Sequence, residues 1–279
     1  MKSQHEHGRF HGQIAVVTGG GSGIGKACAE QLAKEGATVV IADQNAISAE
    51  NVANAIGGHA YTVDVGDPDA IEQFAQHVEA NVGPVSVLIN SAGILQGAAV
   101  PPEEISMETY DRVFAVNMRG TFASCVAFGR RMALRHKGSI LNIASISGIR
   151  STPLHAYGPM KAAIIQLTEN LAGEWGRSGV RVNCLSPGAV LSPAMQIAID
   201  KGQRNLDLLK QSAAAGEVVM PLQVAMAAAF LLSDDASAIT GINLPVDHGW
   251  LVANSWTMFG GVRQAVTGVP TTQPPRGEG

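Results

Sequence analysis

Three residues in the middle of the chain have side chains suited to moving a proton to or from a hydroxyl group. Tyr157 and Lys161 are four residues apart at the start of a predicted helix over 156–177, so they share one helix face. Ser145 lies 12 residues before Tyr157 and closes a predicted strand over 139–145. A tyrosine with its ordinary pKa of about 10 is a poor base at neutral pH. A neighbouring ammonium favours the phenolate and brings that pKa toward the working range, while a serine hydroxyl can orient the substrate oxygen.

A glycine-rich turn near the amino terminus has the composition of a phosphate-binding loop. It joins a predicted strand over 14–19 to a predicted helix over 24–35. Glycines let the backbone turn tightly and approach a pyrophosphate, whose charge then lies at the positive end of the helix. A flexible turn without a ligand is the alternative for the motif alone, but the strand–turn–helix context favours the phosphate site. The turn is Thr18-Gly19-Gly20-Gly21-Ser22-Gly23-Ile24-Gly25.

A carboxylate at the end of the second predicted strand indicates which dinucleotide such a turn would hold. Asp43 closes the strand over 38–43, 18 residues after Gly25. There it can accept hydrogen bonds from the two hydroxyls of an adenosine ribose, and it would repel a 2′-phosphate. Neither Ser22 nor Gln44, which follows Asp43, is a cation that would bind such a phosphate. The sequence therefore predicts NAD as the cofactor and disfavours NADP.

The order of the predicted elements indicates how these residues are positioned. Short, almost continuous apolar runs alternate with helical stretches, which is typical of parallel strands covered on both faces. Such alternation implies right-handed βαβ units, hence a Rossmann-like, doubly wound α/β sheet with helices on both faces, in a single domain over 11–253. The seven predicted strands span 14–19, 38–43, 59–65, 86–93, 139–145, 180–188 and 242–247. The predicted helices span 24–35, 46–56, 68–81, 103–135, 156–177 and 221–233.

Three segments depart from this alternation. Residues 189–217 follow a strand without a strand signal of their own, so they are predicted to form a substrate lid. Residues 1–10 are predicted to be a flexible amino terminus, and 254–279 a carboxyl-terminal extension whose last ten or so residues are disordered. Large aromatic residues near that end are expected to be packing anchors, within the chain or between subunits, rather than ligand contacts. They are Trp250, Trp256 and Phe259.

The composition of the 279 residues excludes several classes of protein. A net charge of −4 and an isoelectric point of about 6.0 do not suit binding to nucleic acid or to an anionic membrane, which needs a basic surface. No apolar run approaches the ~18–20 residues of a membrane span, and the first residues lack the apolar segment of a secretory signal. The protein is therefore expected in the cytoplasm.

Neither the cysteines nor the amino-terminal histidines indicate a metal site. The three cysteines form no CxxC pair and lie among apolar or small residues, as expected of buried thiols in a reducing compartment. They are Cys28, Cys125 and Cys184. The histidines come without a cysteine or carboxylate cage, so no metal is predicted. They are His5, His7 and His11.

Taken together, these motifs resemble the short-chain dehydrogenase/reductase family in its basic type. The resemblance covers about residues 10–252. The motifs occur in the family's order and spacing, and such a succession does not arise by chance. They are the TGxxxGxG turn, Asp64-Val65, Asn90-Ser91-Ala92-Gly93, Asn117, Ser145, Tyr157-x-x-x-Lys161 and Pro187-Gly188.

The resemblance implies a role for each catalytic residue. Tyr157 would be the general acid/base, and Ser145 would orient the substrate oxygen. Lys161 would bind the ribose and, with the positive nicotinamide, tune the pKa of Tyr157. Asn117 would kink its helix and hold a water in a proton relay to Lys161. A satisfied polar residue in a long helix is the alternative for Asn117, and the family spacing argues against it.

The resemblance also implies the residues that contact the cofactor. Asp64 and Val65 would contact the adenine, and Asn90 and Gly93 would lie near the nicotinamide ribose. The segment from Pro187 to Ser192 would contact the nicotinamide carboxamide. The complete implied set is Gly19, Ser22, Gly23, Ile24, Gly25, Asp43, Asp64, Val65, Asn90, Ala92, Gly93, Tyr157, Lys161, Pro187, Gly188, Val190 and Ser192.

Side chains near these residues predict a substrate pocket of mixed polarity. Such a pocket suits a sugar, a polyol or a hydroxylated ring better than a long acyl chain, without excluding the latter. The apolar candidates are Leu95, Ile149, Leu154 and Met195. The candidates for binding hydroxyl groups are Gln96, Ser147 and His155.

Three residues depart from the family's pattern. Ser91 takes the second place of the usual Asn-Asn-Ala-Gly, which weakens a structural turn and leaves the chemistry untouched. Pro159 lies between Tyr157 and Lys161, where the first turn of a helix tolerates proline. His248 replaces a usual glycine in a segment that lies near a subunit contact in the family. It is either an exposed histidine or part of a pH-sensitive interface.

The sequence thus predicts an NAD-dependent oxidoreductase that interconverts a secondary alcohol and its ketone, with Tyr157 transferring the hydroxyl proton. A 3-oxoacyl thioester reductase is the alternative within this class. A non-catalytic NAD(H)-binding sensor or interaction protein and a nucleotide-sugar epimerase are the alternatives outside it. The intact set of Ser145, Tyr157 and Lys161 argues against the sensor, and the lack of a large carboxyl-terminal substrate domain argues against the epimerase. The resemblance implies a homotetramer, or a homodimer, formed through 103–135, 156–177 and the carboxyl-terminal segment.

Overall fold

A parallel sheet of seven strands lies at the centre of a computed structural model, which describes residues 8–97 and 99–263. Its strands are β1 (Ile14–Thr18), β2 (Thr38–Asp43), β3 (His59–Thr62), β4 (Val85–Asn90), β5 (Gly138–Ile143), β6 (Val180–Pro187) and β7 (Asn243–Val246). They lie in the order β3-β2-β1-β4-β5-β6-β7, and every neighbouring pair is parallel. The chain reverses its direction of progress across the sheet between β1 and β4, which opens a crevice at the carboxyl ends of these strands. The predicted doubly wound sheet is confirmed.

Helices cover both faces of the sheet. They are α1 (Gly23–Lys34), α2 (Ala46–Ile56), α3 (Pro68–Asn81), α4 (Met107–Phe114), α5 (Gly120–Leu134), α6 (Tyr157–Trp175), α7 (Pro193–Asp200), α8 (Leu206–Gln211), α9 (Pro221–Leu232) and α10 (Trp250–Ala253). On one face α1 and α9 bury side chains such as Leu32 and Val224 against the strands. On the other face α3, α5 and α6 bury Phe74, Phe128 and Leu167. Because both faces are covered, strand residues are apolar on both sides, which explains the continuous apolar runs.

The single helix predicted over 103–135 is wrong at its start and in its interior. The chain first forms a 3₁₀ turn over Pro102–Glu104. Helix α4 begins only after Ser106, whose Oγ accepts a hydrogen bond from the Thr109 amide (3.1 Å) and so caps the new helix. A π-helical turn over Ala115–Arg119 then joins α4 to α5. The apolar pattern predicted helical character but not these interruptions.

The predicted lid, residues 189–217, follows β6 and contains the two short helices α7 and α8. Each helix begins at a side-chain cap. Ser192 Oγ accepts from the Met195 amide (3.3 Å), and Asn205 Oδ1 accepts from the Leu208 amide (3.0 Å). Because β6 ends at the same edge as β1 and β4, the lid starts beside the crevice.

The two ends of the chain are described only in part. Residues 1–7 and 264–279 lie outside the described residues, and with them most of the predicted flexible amino terminus and disordered tail. Phe10 is fully buried, and Arg9 pairs with Glu35 at 2.7 Å between Nη2 and Oε1. The ordered chain therefore begins no later than Arg9.

The interior offers no membrane span and no metal centre among the described residues. No helix within 8–97 and 99–263 is both long and apolar enough to cross a bilayer. Within the same ranges no three His, Cys, Asp or Glu side chains are grouped to hold a metal ion. All three cysteines are free, buried thiols, and burial raises the pKa of Cys28 to about 12. These thiols therefore stay protonated and unreactive.

Candidate active site

A cleft of about 560 Å³ opens at the carboxyl ends of β1, β2, β4, β5 and β6. Its volume lies in the range of small-molecule and cofactor sites. The predicted catalytic residues that line it are Ser145, Tyr157 and Lys161. The other predicted cofactor residues that line it are Gly19, Ser22, Gly23, Ile24, Gly25, Asp43, Asp64, Val65, Ala92, Gly93, Pro187, Gly188, Val190 and Ser192. The predicted substrate-pocket residues that line it are Leu95, Ser147, Leu154 and Met195.

The glycine-rich turn forms one wall of the cleft, and its backbone requires glycine at two positions. Gly19 has φ +64°, and a Cβ placed there would lie 2.7 Å from Ala92 Cα. A Cβ placed on Gly25 would lie 2.2 Å from the Gly19 carbonyl oxygen. Any larger residue would push the first turn of α1 away from the strand ends, so these glycines set the depth of the cleft.

The amino terminus of α1 is open to an anion. Ser22 is the N-cap residue, but its side chain makes no capping hydrogen bond, and the first turn has no acidic residue. In contrast, Asn45 and Asp67 cap α2 and α3 with their side chains. A Cβ on Gly23 would project into the opening and lie 3.7 Å from Ser192 Cβ. The first backbone amides of α1 thus have no side-chain cap, and they lie at the positive end of the helix with space beside the glycine. These features together fit a dinucleotide pyrophosphate.

Asp43 lies at the other end of the cleft, where its carboxylate is fixed by backbone amides. Gly21 N donates to Oδ2 and Asn45 N donates to Oδ1, both at 3.0 Å. The cleft residues beside it are Gln44 and Asp64, and neither is a cation. Asp43 therefore offers fixed acceptors for hydroxyl groups, and none of the residues that line this end of the cleft is a cation. Arg112, which does not line the cleft, is paired with Asp64 at 3.0 Å.

Ser145, Tyr157 and Lys161 converge at the end of β5 and the first turn of α6. Ser145 Oγ accepts a hydrogen bond from the Ser147 amide (3.1 Å), which fixes the serine at the start of a 3₁₀ turn. The Ser145 hydroxyl lies close enough to the Tyr157 phenol to lower its pKa. The Lys161 Nζ lies 5.4 Å from the centroid of the Tyr157 ring. The three side chains thus form one continuous group facing the cleft.

The pKa of Tyr157 differs from the sequence-based expectation. Burial of the phenol raises this pKa above its ordinary value, and the neighbouring Ser145 hydroxyl offsets only part of the rise. Lys161 does not lower it, because its ammonium donates instead to the Ile143 carbonyl oxygen at 2.7 Å. In the protein alone, Tyr157 is therefore a protonated phenol at neutral pH.

Lys161 is a buried cation with a lowered pKa. It is only 4% exposed, and burial lowers its pKa from 10.5 to about 8. Below pH 8 both folded and unfolded chains hold the proton, and the folded state bears the cost of a buried charge. Between about pH 8 and 10.5 the folded state loses the proton first, so the contribution of Lys161 to the free energy of unfolding rises with pH.

Replacing Lys161 by methionine is expected to stabilise the fold at neutral pH. The pKa shift corresponds to about 3 kcal/mol of destabilisation by the charge, and loss of the hydrogen bond to Ile143 costs about 1 kcal/mol. Lys161→Met should therefore raise the free energy of unfolding by about 2 kcal/mol at pH 7, and this gain should disappear by about pH 10. Urea unfolding at both pH values measures it. The exposed Lys137→Met is the control and should show no such pH-dependent difference; a less stable Lys161→Met protein at pH 7 would contradict the burial argument.

Asn117 lies in the π-helical turn and is fully buried beneath the cleft. Its Nδ2 donates to the Ile94 carbonyl oxygen (2.8 Å), and its Oδ1 accepts from the Ile94 amide (3.0 Å). A Cβ on the adjacent Gly93 would lie 2.7 Å from this Oδ1 and 3.5 Å from Lys161 Nζ. Asn117 therefore holds the loop after β4 in place. Its role in a proton relay stays a prediction.

Asn90 has its side chain in the interior, away from the residues that line the cleft. Its Nδ2 donates to Asn142 Oδ1 (2.9 Å), and Asn142 Nδ2 donates to Thr168 Oγ1 (2.9 Å). This buried chain of hydrogen bonds links β4, β5 and α6. The Asn90 Oδ1 is buried without a hydrogen-bond partner among the described residues. Its contact with a cofactor stays a prediction.

Three predicted substrate-pocket residues, Gln96, Ile149 and His155, do not line the cleft. Gln96 is buried, and its Oε1 accepts from the amides of Ala156 (2.8 Å) and Tyr157 (3.3 Å). It thereby caps α6 from the loop after β4 and fixes the helix end that carries the tyrosine. His155 instead lines a shallow cavity of about 370 Å³ beside the cleft, together with Ile149. Leu154 and Ser147 line both cavities.

Several cleft residues were not identified from the sequence. Arg204 and Leu209 belong to the lid, and Trp250 begins α10. Trp250 was expected to be a packing anchor rather than part of a binding site. The lid carries no motif that transfers between proteins, so only the fold brings these side chains to the cleft.

Comparison with known proteins identifies relatives over almost the whole chain. Residues 19–251 match the family model described as enoyl-(acyl carrier protein) reductase. D-threitol dehydrogenase of Mycolicibacterium smegmatis is 38% identical over 88% of this chain and 95% of its own.

Two solved structures show the same fold. One, described as ribose-5-phosphate isomerase from Brucella melitensis 16M, has a TM-score of 0.90 and 50% identity, and covers 92% of this chain and 100% of its own. The other is a gluconate 5-dehydrogenase from Burkholderia cenocepacia J2315 in complex with NADP and tartrate. It has a TM-score of 0.83 and 30% identity, over 89% of this chain and 100% of its own.

Proposed function

The chain belongs to the short-chain dehydrogenase/reductase family, and we propose that it is an NAD-dependent dehydrogenase of a polyol, sugar or hydroxylated ring. Membership of this family supports the assignment of the chain as an oxidoreductase that acts on CH–OH groups. The observation that carries the finer proposal is the convergence of Ser145, Tyr157 and Lys161 in the cleft that also holds the glycine-rich turn and Asp43. Secondary alcohol and ketone would be interconverted there.

The proposed chemistry assigns a task to each of the three catalytic side chains. Tyr157 holds or takes the proton of the substrate hydroxyl, and the neighbouring Ser145 orients the substrate oxygen. The ammonium of Lys161 lies beneath the tyrosine ring, and its pKa of about 8 lets it hold or release a proton near neutral pH. When bound, the nicotinamide supplies or accepts the hydride and brings a positive charge that favours the phenolate.

The preference for NAD rests on the adenosine end of the cleft. The fixed carboxylate of Asp43 suits two ribose hydroxyls, and no cation among the cleft-lining residues stands beside it to bind a 2′-phosphate. The Burkholderia relative contains NADP, so the preference is a property proposed for this chain rather than one carried over from its relatives.

The proposed substrate class rests on the mixed lining of the cleft and on the relatives. Leu95 and Met195 are apolar, whereas Ser145 and Ser147 carry hydroxyl groups. Relatives named for threitol and for gluconate act on open-chain compounds rich in hydroxyl groups. A relative described as a ribose-5-phosphate isomerase suggests instead a cofactor-free exchange of carbonyl position. The predicted catalytic residues line a cleft that fits a dinucleotide, and this favours the redox reaction over the isomerisation.

The test is NADH formation at 340 nm across polyols, sugars, cyclic alcohols and aryl secondary alcohols, each repeated with NADP. Turnover of one group with NAD is the expected result. A parallel assay follows ribose 5-phosphate isomerisation without a cofactor, which should not occur. Turnover restricted to acyl thioesters, or binding of NADH without turnover of any substrate, would replace the proposal with the thioester reductase or the non-catalytic sensor.

Assembly into a homotetramer, or a homodimer, is part of the proposal. Helix α9 exposes an apolar stripe at spacings of four residues, formed by Leu222, Met226 and Phe230. Phe114 and Phe122 are exposed on α4 and α5. Exposed apolar stripes of this kind support contacts between subunits. Light scattering at micromolar concentration should give an oligomer, and a monomer would contradict the assembly.

The exposed aromatic residues after α10 also bear on the proposed assembly into an oligomer. Trp256 and Phe259 lie in a 3₁₀ turn over Asn254–Phe259 and are 47% and 70% exposed. They are therefore not packing anchors within the described part of the chain, which leaves subunit contacts as their proposed role.

The cytoplasm is the proposed location. The three cysteines are all free thiols, as expected where glutathione and thioredoxin keep thiols reduced. Cell fractionation followed by immunodetection would test this location.

A further inference from the structure

Arg204 contributes a positive charge to the lining of the cleft. It lies between α7 and α8 of the lid and lines the cleft. The lid follows β6, whereas Asp43 and Asp64 follow β2 and β3. In the sheet β2 and β6 are four strand spacings apart, about 19 Å. Arg204 is therefore attached at the catalytic side of the cleft, and the acidic residues are at the adenosine side.

The guanidinium of Arg204 is available to a ligand. Its hydrogen bond is local, from Nη1 to the carbonyl oxygen of Gln203 at 3.0 Å. Among residues 8–97 and 99–263 no carboxylate forms an ion pair with it, whereas Lys210, in the same lid, pairs with Glu217 at 3.6 Å. The other cation of the cleft lining, Lys161, donates to a backbone carbonyl. Arg204 is thus the cleft cation whose charge no protein group neutralises.

An arginine fork matches the geometry of a carboxylate or a phosphate group. In the same cleft lining, Ser147 offers a hydroxyl, and Met195, Leu209 and Trp250 offer apolar surface. Arg204 is exposed at the cleft, so water solvates its guanidinium when no ligand is bound. An anionic end group could replace this water with a paired set of charge-assisted hydrogen bonds, which a neutral polyol cannot form.

We propose that the substrate is an anionic polyol whose carboxylate or phosphate group binds Arg204 while its secondary alcohol lies against Tyr157. This inference rests on the proposed function of the same cleft. A different anion, the pyrophosphate of the cofactor, is the competing partner of Arg204, and the experiment separates the two.

The experiment compares a neutral polyol with two compounds of the same carbon chain that each carry one anionic end group, the carboxylate at C1 or the phosphate at C6. Sorbitol, gluconate and sorbitol 6-phosphate are assayed with saturating NAD, together with the corresponding four-carbon series. The variants are Arg204→Gln, Arg204→Lys and the control Lys201→Gln, which removes an exposed lid charge that does not line the cleft. The wild type should use one anionic class at least about 10-fold better, by kcat/KM, than the neutral polyol.

Loss of the guanidinium should affect the anionic substrate alone. Arg204→Gln should raise its KM by about 10- to 100-fold with kcat little changed, and should leave the neutral polyol unaffected. Arg204→Lys should be intermediate because it keeps the charge and loses the fork. Lys201→Gln should behave as the wild type. Equal use of neutral and anionic compounds, or equal losses for both in Arg204→Gln, would overturn the inference.

Binding measurements separate this inference from the proposed function. Calorimetry follows gluconate and sorbitol 6-phosphate binding to the NADH complex, and NADH binding to each variant. Anion binding that Arg204→Gln abolishes supports the inference even if no alcohol is oxidised. Oxidation of neutral polyols without anion binding keeps the proposed function and overturns the inference. A weaker affinity of Arg204→Gln for NADH assigns Arg204 to the cofactor pyrophosphate and also overturns it.

Discussion

Tyr157→Phe is expected to lower kcat by about 10²- to 10⁴-fold while NADH still binds with a Kd within about threefold of the wild type. The substitution removes one hydroxyl and keeps the ring. That hydroxyl is the group whose pKa Ser145 lowers, and it is the one the proposed mechanism uses to exchange the substrate proton. Burial already keeps the phenol protonated in the protein alone, so the lost atom is a proton donor and acceptor rather than a structural charge.

Steady-state assays and fluorescence titration with NADH measure the two quantities separately. Tyr110→Phe is the matched control, because Tyr110 packs against the cluster that contains Val113 and Met160 and is not one of the residues that line the cleft. It should retain full activity. Substantial dehydrogenase activity in Tyr157→Phe would show that another group transfers the proton.

Asp43→Ala is expected to lower the ratio of kcat/KM for NAD to that for NADP by about 10- to 100-fold. The wild-type carboxylate accepts hydrogen bonds from the amides of Gly21 and Asn45, which hold its oxygens at the cleft edge. Its removal takes two charged acceptors from the ribose of NAD and relieves the repulsion of a 2′-phosphate. Because the lining at this end provides no cation, most of the change should be a loss with NAD rather than a gain with NADP.

The control for this substitution removes a carboxylate elsewhere. Asp69→Ala, in the first turn of α3, changes the net charge equally and does not touch the cleft lining. It should leave the ratio unchanged. An unchanged ratio in a folded Asp43→Ala protein would mean that the ribose is held by other groups.

The sequence was sufficient to predict the sheet and the residues at its carboxyl edge. Strand ends such as Thr18, Asp43 and Ser145 are marked by turn chemistry directly after continuous apolar runs, and parallel strands bring all their carboxyl ends to one edge. Residues that act at a strand end are therefore predictable once the strands are identified.

Residues whose roles depend on contacts between distant segments were not predictable. Gln96 is a polar residue in a loop, and nothing local indicates that it caps a helix 60 residues further along the chain. Arg204 lies in a lid without a motif, so its position in the cleft follows from how α7 and α8 pack. The raised pKa of Tyr157 was not predictable either. The spacing of four residues indicates that the Lys161 side chain lies near Tyr157, but not that its ammonium donates to a backbone carbonyl.

The π-helical turn over Ala115–Arg119 makes the site sensitive to the length of the chain as well as to its composition. A π turn holds one residue more than the α-helix it interrupts. Because this wider turn absorbs its extra residue, α4 and α5 keep nearly the rotation of a continuous α-helix, whereas inserting or deleting one residue on either side of the turn would rotate the two helices by about 100° relative to each other. Tyr110 and Val113 would then leave Met160, against which they pack, and Asn117 would swing away from Ile94. Homologous chains with the same site should therefore accept substitutions along this helix far more readily than single-residue insertions or deletions.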